Sequence, residues 1–328
     1  MRPSAFAASV SLLFLTFFLA ACSLDGDEGG LLFEELSEER AGEEPVETSS
    51  PAPVEPTVAS QPNELVEPVA PEVRVSSTWM APGSTIIVSV RNTSSGGTAH
   101  LLDREYPLAP GDGYSWAVLG TGPETPLGGT NLHVALDSGE TFDVYIELVD
   151  AGYPVNNITL SGETSSLLTP ENAAYERERV NFALSHYTPE PLWQGTFIYP
   201  IQTYITSEFG EARSYNGGPV SSWHKGIDFG ALEGTPIRAA NRGRVVLAEE
   251  VPLSGGVVFI DHGLGVFTQY SHQSRILVEA GQMVEKGDVI GEVGTTGIST
   301  GAHLHWQMFV GYEPVNPHQW CWQIMTPP

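Results

Sequence analysis

Hydrophobic positions change texture along this chain, and each texture predicts a different kind of element. An apolar run rich in Leu and Phe extends from Ala5 to Ala21 behind one positive charge, Arg2. It is short for a membrane-spanning helix and has the charge-then-apolar layout of a secretory signal. Residues 23–72 carry almost no hydrophobic pattern. From Val73 to about Ser161, short runs rich in β-branched and aromatic residues alternate with turn residues: Thr85–Val90 follows Pro82-Gly83, and Tyr114–Val118 follows Gly111-Asp-Gly113. Leu132–Leu136 and Thr141–Val149 flank Asp137-Ser-Gly139, a hairpin signal. Strands of this kind predict a β-sandwich of the immunoglobulin-like type over 73–168.

Thr169-Pro-Glu171 has the form of an N-cap, a proline in the first turn and an acidic start. The spacing predicts a helix of about three to four turns over Asn172–Leu184, within a linker 169–190 that Pro189 and Pro191 end. Beyond it, Gly-rich Val/Ile runs predict strands at Gly243–Ala248, Gly256–Ile260 and Gly265–Tyr270. Val278–Val293 reads as further strands joined by tight glycine turns, and no helix is expected in 191–328. The class is all-β.

Charge sharpens the division. The net charge is −26, and residues 23–72 hold fourteen acidic residues against one basic residue, Arg40. Seven prolines stand in the same stretch, at 45, 51, 53, 56, 62, 68 and 71. Low hydrophobicity and one-signed charge bury too little apolar surface to offset ordering, so 22–72 is expected to be a disordered acidic tether. Extended near 3.1 Å per residue, it reaches on the order of 100 Å or more. The overall acidity argues against nucleic acid, which needs a Lys/Arg footprint.

The apolar run ends in Leu19-Ala-Ala-Cys22, which resembles the lipobox of bacterial lipoproteins. The resemblance implies a signal peptide over 1–21, an acylated Cys22, and an exported protein anchored by lipid to a membrane, facing the periplasm or cell wall. Each buried acyl CH₂ contributes roughly 0.8 kcal/mol to such an anchor. The second cysteine, Cys321, sits between Trp320 and Trp322 and reads as a small buried hydrophobe.

Candidate chemistry lies in the last third of the chain. His303-Leu-His305 opens a near-alternating strand pattern, so both imidazoles are expected on one face, where they can serve as a metal ligand and a proton-transfer group. His224 and Asp228 are four residues apart, which in an extended chain also puts them on one face. Histidine and carboxylate together suit Zn²⁺, and one further imidazole leaves a fourth position open. His272 is a third candidate. His100 and His133 lack partners at ligand spacing.

Residues 193–320 resemble the zinc metallopeptidases of the M23 family, of lysostaphin/LytM type. The motifs are Phe197–Pro200, Thr206-Ser-Glu-Phe-Gly210, His224-Lys-Gly-Ile-Asp-Phe229, Gly234–Ala239, Asp261-His-Gly263, Tyr270-Ser-His272, Gly281–Gly294 and Thr300-Gly-Ala-His-Leu-His-Trp306. The resemblance implies an antiparallel sheet domain over 191–328 and one Zn²⁺, held by His224, Asp228 and His305. It implies His272 and His303 as the catalytic pair, and Tyr215 as the candidate for an oxyanion-binding tyrosine. It assigns His262 to a turn. The substrates implied are the stem or cross-bridge peptides of bacterial peptidoglycan. Family members that have lost ligands act instead as wall-binding scaffolds or amidase activators; all five positions are filled here. Val278–Val293 also resembles half of a lipoyl or biotinyl carrier, but Glu285-Lys-Gly287 replaces the Met-Lys-Met such carriers need.

Overall fold

The runs of β-branched and aromatic residues form strands throughout the computed structural model, which describes residues 69–158, 166–215 and 217–327. The side chains of Ile158 and Tyr215 are outside this description, as are the signal run, Cys22 and most of the acidic tether. All described residues belong to one compact unit, Leu65–Pro328. Among them, no helix is long and apolar enough to cross a membrane.

The first nine strands are β1 (Glu72–Val75), β2 (Trp79–Met80), β3 (Thr85–Arg91), β4 (Gly97–Leu101), β5 (Arg104–Pro107), β6 (Ala109–Pro110), β7 (Tyr114–Gly120), β8 (Gly128–Leu136) and β9 (Thr141–Leu148). They form two sheets, ordered β1-β3-β7-β6 and β2-β9-β8-β4-β5. The hairpin between β8 and β9 turns at Asp137-Ser-Gly139, where Gly139 takes φ +106°. Alternate residues of β8 point inward: Leu132, Val134 and Leu136 are buried.

Strand β10 (Val155–Ile158) leaves these sheets and pairs in parallel with the strand Ala212–Tyr215. The remaining strands are β11 (Ile205–Ser207), β12 (Ala212–Tyr215), β13 (Val220–Trp223), β14 (Gly226–Gly230), β15 (Pro236–Arg238), β16 (Gly243–Val251), β17 (Gly255–Gly263), β18 (Val266–Ile276), β19 (Met283–Val284), β20 (Val289–Val293), β21 (His303–Val310) and β22 (Glu313–Val315). The large sheet runs β11-β14-β21-β18-β17-β16-β19, with β15, β20 and β22 attached at its sides. Glycine turns at Gly281 (φ +93°) and Gly287 (φ +94°) join the short strands of 278–293.

One expectation about helices is met and one needs correction. The linking helix spans Pro170–Leu184, with Thr169 Oγ1 accepting the Asn172 N–H at 3.1 Å. It ends at Leu184, where the apolar pattern placed its end. The Ser185 N–H reaches back to the Asn181 carbonyl at 2.9 Å, and the Ser185 hydroxyl donates to the Phe182 carbonyl at 2.8 Å. The last turn is thus closed from within. A second helix, Pro317–Trp322, was not expected at all. Its six residues are too few to show a helical period, but Asn316 caps it through the His318 N–H at 3.0 Å.

That short helix joins the large sheet to the first two. Gln319 donates to the Thr85 carbonyl and accepts from the Thr85 N–H, both at 2.8 Å. Trp116, Trp193 and Trp320 pack edge to face in sequence, at centroid separations of 6.2 and 5.6 Å. A single apolar core therefore runs from Val88 through Trp320 to Trp306.

Candidate metal centre and active site

Strand β21 sits in the middle of the large sheet, between β14 and β18, and its alternation decides what faces what. Leu304, Trp306 and Met308 are fully buried on one side, which turns His303 and His305 together to the other. The register sets Asp228 opposite His305 from β14, and Ser271 opposite His305 from β18. His224 lies just before β14 rather than within it. Hydrogen bonds from the Gly210 N–H to the His224 carbonyl (2.8 Å) and from the His224 N–H to the Glu211 carbonyl (2.9 Å) hold it there.

The donor atoms of His224, Asp228 and His305 all lie within 4.8 Å of one another, the one such group among the described residues. His224 Nε2 is 3.1 Å from Asp228 Oδ1 and 3.1 Å from His305 Nδ1, and His305 Nδ1 is 2.7 Å from the same carboxylate oxygen. Their protonation follows from their outer partners. His224 Nδ1 is 2.8 Å from the Glu208 carbonyl, which only accepts, so Nδ1 carries the hydrogen and Nε2 a lone pair. His305 Nδ1 is 2.7 Å from the acceptor-only Asp228 carboxylate and its Nε2 is 3.3 Å from Gln307 Oε1, so a hydrogen on either nitrogen has an acceptor. Two imidazole nitrogens and a carboxylate oxygen thus converge. That donor set fits a cation such as Zn²⁺.

Electrostatics agree. Burial lowers the His224 pKa and outweighs the opposing pull of Asp228, so the ring stays neutral. Burial alone would raise the Asp228 pKa, but the close imidazoles of His224 and His305 overcome it and hold the carboxyl well below the usual range. The guanidinium of Arg213 stands 3.7 Å from its second oxygen, Oδ2.

His272 reaches the site by a local distortion. Plain alternation along β18 would put it on the same side as Tyr270, whose hydroxyl is buried in the core and accepts the Ala240 N–H at 2.8 Å. Instead, the β17–β18 register shifts between Gly256 and Val258, and His272 takes φ +62°. This left-handed conformation costs on the order of 1–3 kcal/mol. It turns the ring toward His303, with centroids 4.7 Å apart. His272 Nδ1 donates to the Thr296 carbonyl at 2.8 Å, leaving Nε2 free to accept. Burial, together with the neighbouring His303 and His305, lowers its pKa to about 3. His303 is anchored in the same way, through Nδ1 to the Gly301 carbonyl at 2.8 Å, and its Nε2 lies 4.0 Å from Asp228 Oδ1.

Close packing leaves the His305 ring only one place. A Cβ on Gly226 would stand 2.5 Å from the Trp306 carbonyl oxygen and 2.8 Å from the ring carbon Cε1 of His305. Beside the ring, a cavity of about 430 Å³ opens along the sheet, floored by Gln269, Gln307 and Phe309 and walled by Glu176 and Val180 of the linking helix.

Five of the sequence candidates, His224, Asp228, His272, His303 and His305, therefore meet. The backbone of Tyr215 lies in β12, but its side chain is outside the described residues. His100 and His133 face each other across β4 and β8, in another sheet, beside the exposed Glu105 and Asp143. His262 is fully buried between the Arg242 carbonyl (2.8 Å) and the Thr268 hydroxyl (2.7 Å), a structural position. Cys321 is half-buried against the core, where burial pushes its thiol up to about 12. Sequence reasoning did not single out Ser207, Arg213, Thr296 or Gln307. For Gln307 a signal existed, since it is two residues past His305 on the same strand face.

Residues 222–317 match the sequence model of peptidase family M23. The chain carries an M23 domain. An uncharacterized metalloprotease of Haemophilus influenzae is 34% identical over 178 residues, covering 52% of this chain and 37% of the relative. The peptidoglycan DD-endopeptidase ShyA of Vibrio cholerae is 39% identical over 120 residues, covering 36% of this chain and 28% of the relative. The DD-carboxypeptidase/endopeptidase Mpg of Neisseria meningitidis is 41% identical over 120 residues, covering 36% and 27%. The chain thus spans well under half the length of these relatives. A crystal structure of a candidate M23 peptidase from Pseudomonas aeruginosa shares the fold: its TM-score is 0.57 at 24% identity, covering 74% of this chain and 94% of that one.

Proposed function

We propose that this M23 domain is a zinc-dependent endopeptidase hydrolysing peptide bonds in the stem or cross-bridge of bacterial peptidoglycan. The observation that carries the reading is the convergence of three donor atoms, His224 Nε2, Asp228 Oδ1 and His305 Nδ1, beside two further anchored imidazoles. Relatives named for peptidoglycan DD-endopeptidase activity support the substrate class.

His224, Asp228 and His305 would hold a zinc ion, which would supply Lewis acidity to the reaction. The protein supplies the proton path. His272 and His303 each spend the Nδ1 hydrogen on a backbone carbonyl, so each offers Nε2 to the reaction. One takes a proton from the attacking water, and a protonated imidazole returns one to the leaving amine. The cavity beside His305 offers room for part of a peptide substrate.

Cys22, by the Leu19-Ala-Ala-Cys22 pattern, is the site of a lipid anchor on the exported protein, and the acidic stretch behind it spaces the peptidase from the membrane. The test of activity is incubation of the zinc-loaded protein with purified sacculi, with released muropeptides identified by mass. Cleavage products at a stem or cross-bridge bond are expected, and DD cross-links are the first to examine. Stoichiometric zinc with no product from several wall chemotypes would leave a non-catalytic wall-binding scaffold.

A further inference from the structure

His224 is held from behind by a chain of polar contacts that ends in a charge. Its Nδ1–H points between the Glu208 carbonyl at 2.8 Å and the Ser207 hydroxyl oxygen at 3.0 Å. Ser207 Oγ lies 2.7 Å from Glu211 Oε2, so its hydrogen goes to the carboxylate and its oxygen remains to accept from the imidazole. Glu211 is itself tied down. Its Oε1 accepts the Glu208 N–H at 2.9 Å, and its Oε2 accepts the Asn156 side-chain amide at 2.9 Å. Asn156 comes from β10, the strand that crosses over to pair with β12.

We propose that Glu211 is a positioning residue for the metal centre, acting through the Ser207 hydroxyl to fix the His224 ring with Nε2 turned toward Asp228 and His305. The inference rests on the zinc reading above. An imidazole whose outer N–H is held by a polarised acceptor is locked in one tautomer and made a better donor at its inner nitrogen. Loss of such an outer partner typically weakens metal binding about 10–100-fold. Asn156 fixes the carboxylate in turn, so the crossing strand is wired to the ligand.

The test is a zinc titration of the whole protein, stripped of metal and competed against a chromophoric chelator. Glu211→Gln and Ser207→Ala are each expected to weaken zinc binding about 10–100-fold. The double variant should be little weaker than either single one, because both act through one contact. Ser207→Thr, which keeps the hydroxyl, should restore affinity, and the zinc-free melting temperature should stay at the wild-type value in all of them. Wild-type affinity in Glu211→Gln overturns the inference, as does a double variant whose loss is the product of the single losses. If Glu211→Gln does not fold, the contrast between Ser207→Ala and Ser207→Thr decides. A wild-type protein that takes up no zinc, or His305→Ala binding it unchanged, overturns the metal-centre reading itself.

Discussion

At the scale of residues, His303 and His305 share a strand face, yet their nitrogens are committed differently. His305 turns Nδ1 into the donor cluster, while His303 keeps Nδ1 on the Gly301 carbonyl. His305→Ala should therefore lower zinc content and activity together. His303→Ala should keep near-stoichiometric zinc and lose about 10²–10⁴-fold in rate, the usual contribution of an acid–base group. Elemental analysis beside the rate separates the two, and zinc loss confined to His303→Ala would reverse the roles. Gly226 makes a related point about space. Gly226→Ala drives a methyl group against the Trp306 carbonyl and the His305 ring, neither of which is a flexible side-chain tip. The expected outcome is weaker zinc binding with the fold retained, read by chelator competition and circular dichroism.

At the scale of elements, the linking helix is a wall of the cavity beside His305. Its seat is polar as well as apolar. Glu176 accepts from the Leu253 and Ser254 N–H groups at 2.8 and 3.1 Å, and Arg179 makes a two-pronged pair with Glu249 at 2.6 and 2.9 Å. Ala183 and Leu184 are buried against the sheet. The N-cap at Thr169 was legible because capping is local chemistry. The C-terminal end at Leu184 followed from the last apolar positions, although the closing bonds of Ser185 are made to the helix's own carbonyls and carry no sequence signature. Thr169→Ala should cost about 1 kcal/mol of stability by exposing the Asn172 N–H, measured by urea unfolding at pH 7.

At the scale of the whole molecule, stability should respond to acid through His262. Burial in the core lowers its pKa from 6.5 to about 4. In the unfolded chain the ring binds a proton below about pH 6.5, while the folded protein refuses it until about pH 4. Stability from this group is thus present above pH 6.5 and lost progressively as pH falls toward 4, by on the order of 3 kcal/mol. Urea midpoints at pH 7 and pH 5 should differ in the wild type, and a folded His262→Gln variant should show a smaller difference. A midpoint difference unchanged in that variant assigns the acid sensitivity elsewhere. Cys22→Ser should leave hydrolysis by the purified protein intact while releasing it from the membrane fraction. Retention on salt-washed membranes would exclude the lipid as anchor.

Strand alternation, capping and ligand chemistry are properties of short stretches, so the all-β class, the linking helix and the five candidate side chains were readable in one dimension. How those side chains meet depends on the fold. Asp228 and His305 are 77 residues apart in the chain, and the antiparallel register of β14 on β21 sets them opposite each other. The local period misplaces His272, which would follow Tyr270 into the core had the shifted register and a left-handed backbone not rotated it out. Glu211 and Asn156 were silent for the same reason, and Ser207 entered only as part of the Thr206–Gly210 motif, with no role of its own. A hydroxyl, a carboxylate and an amide mean nothing in particular until the fold stacks them behind one imidazole.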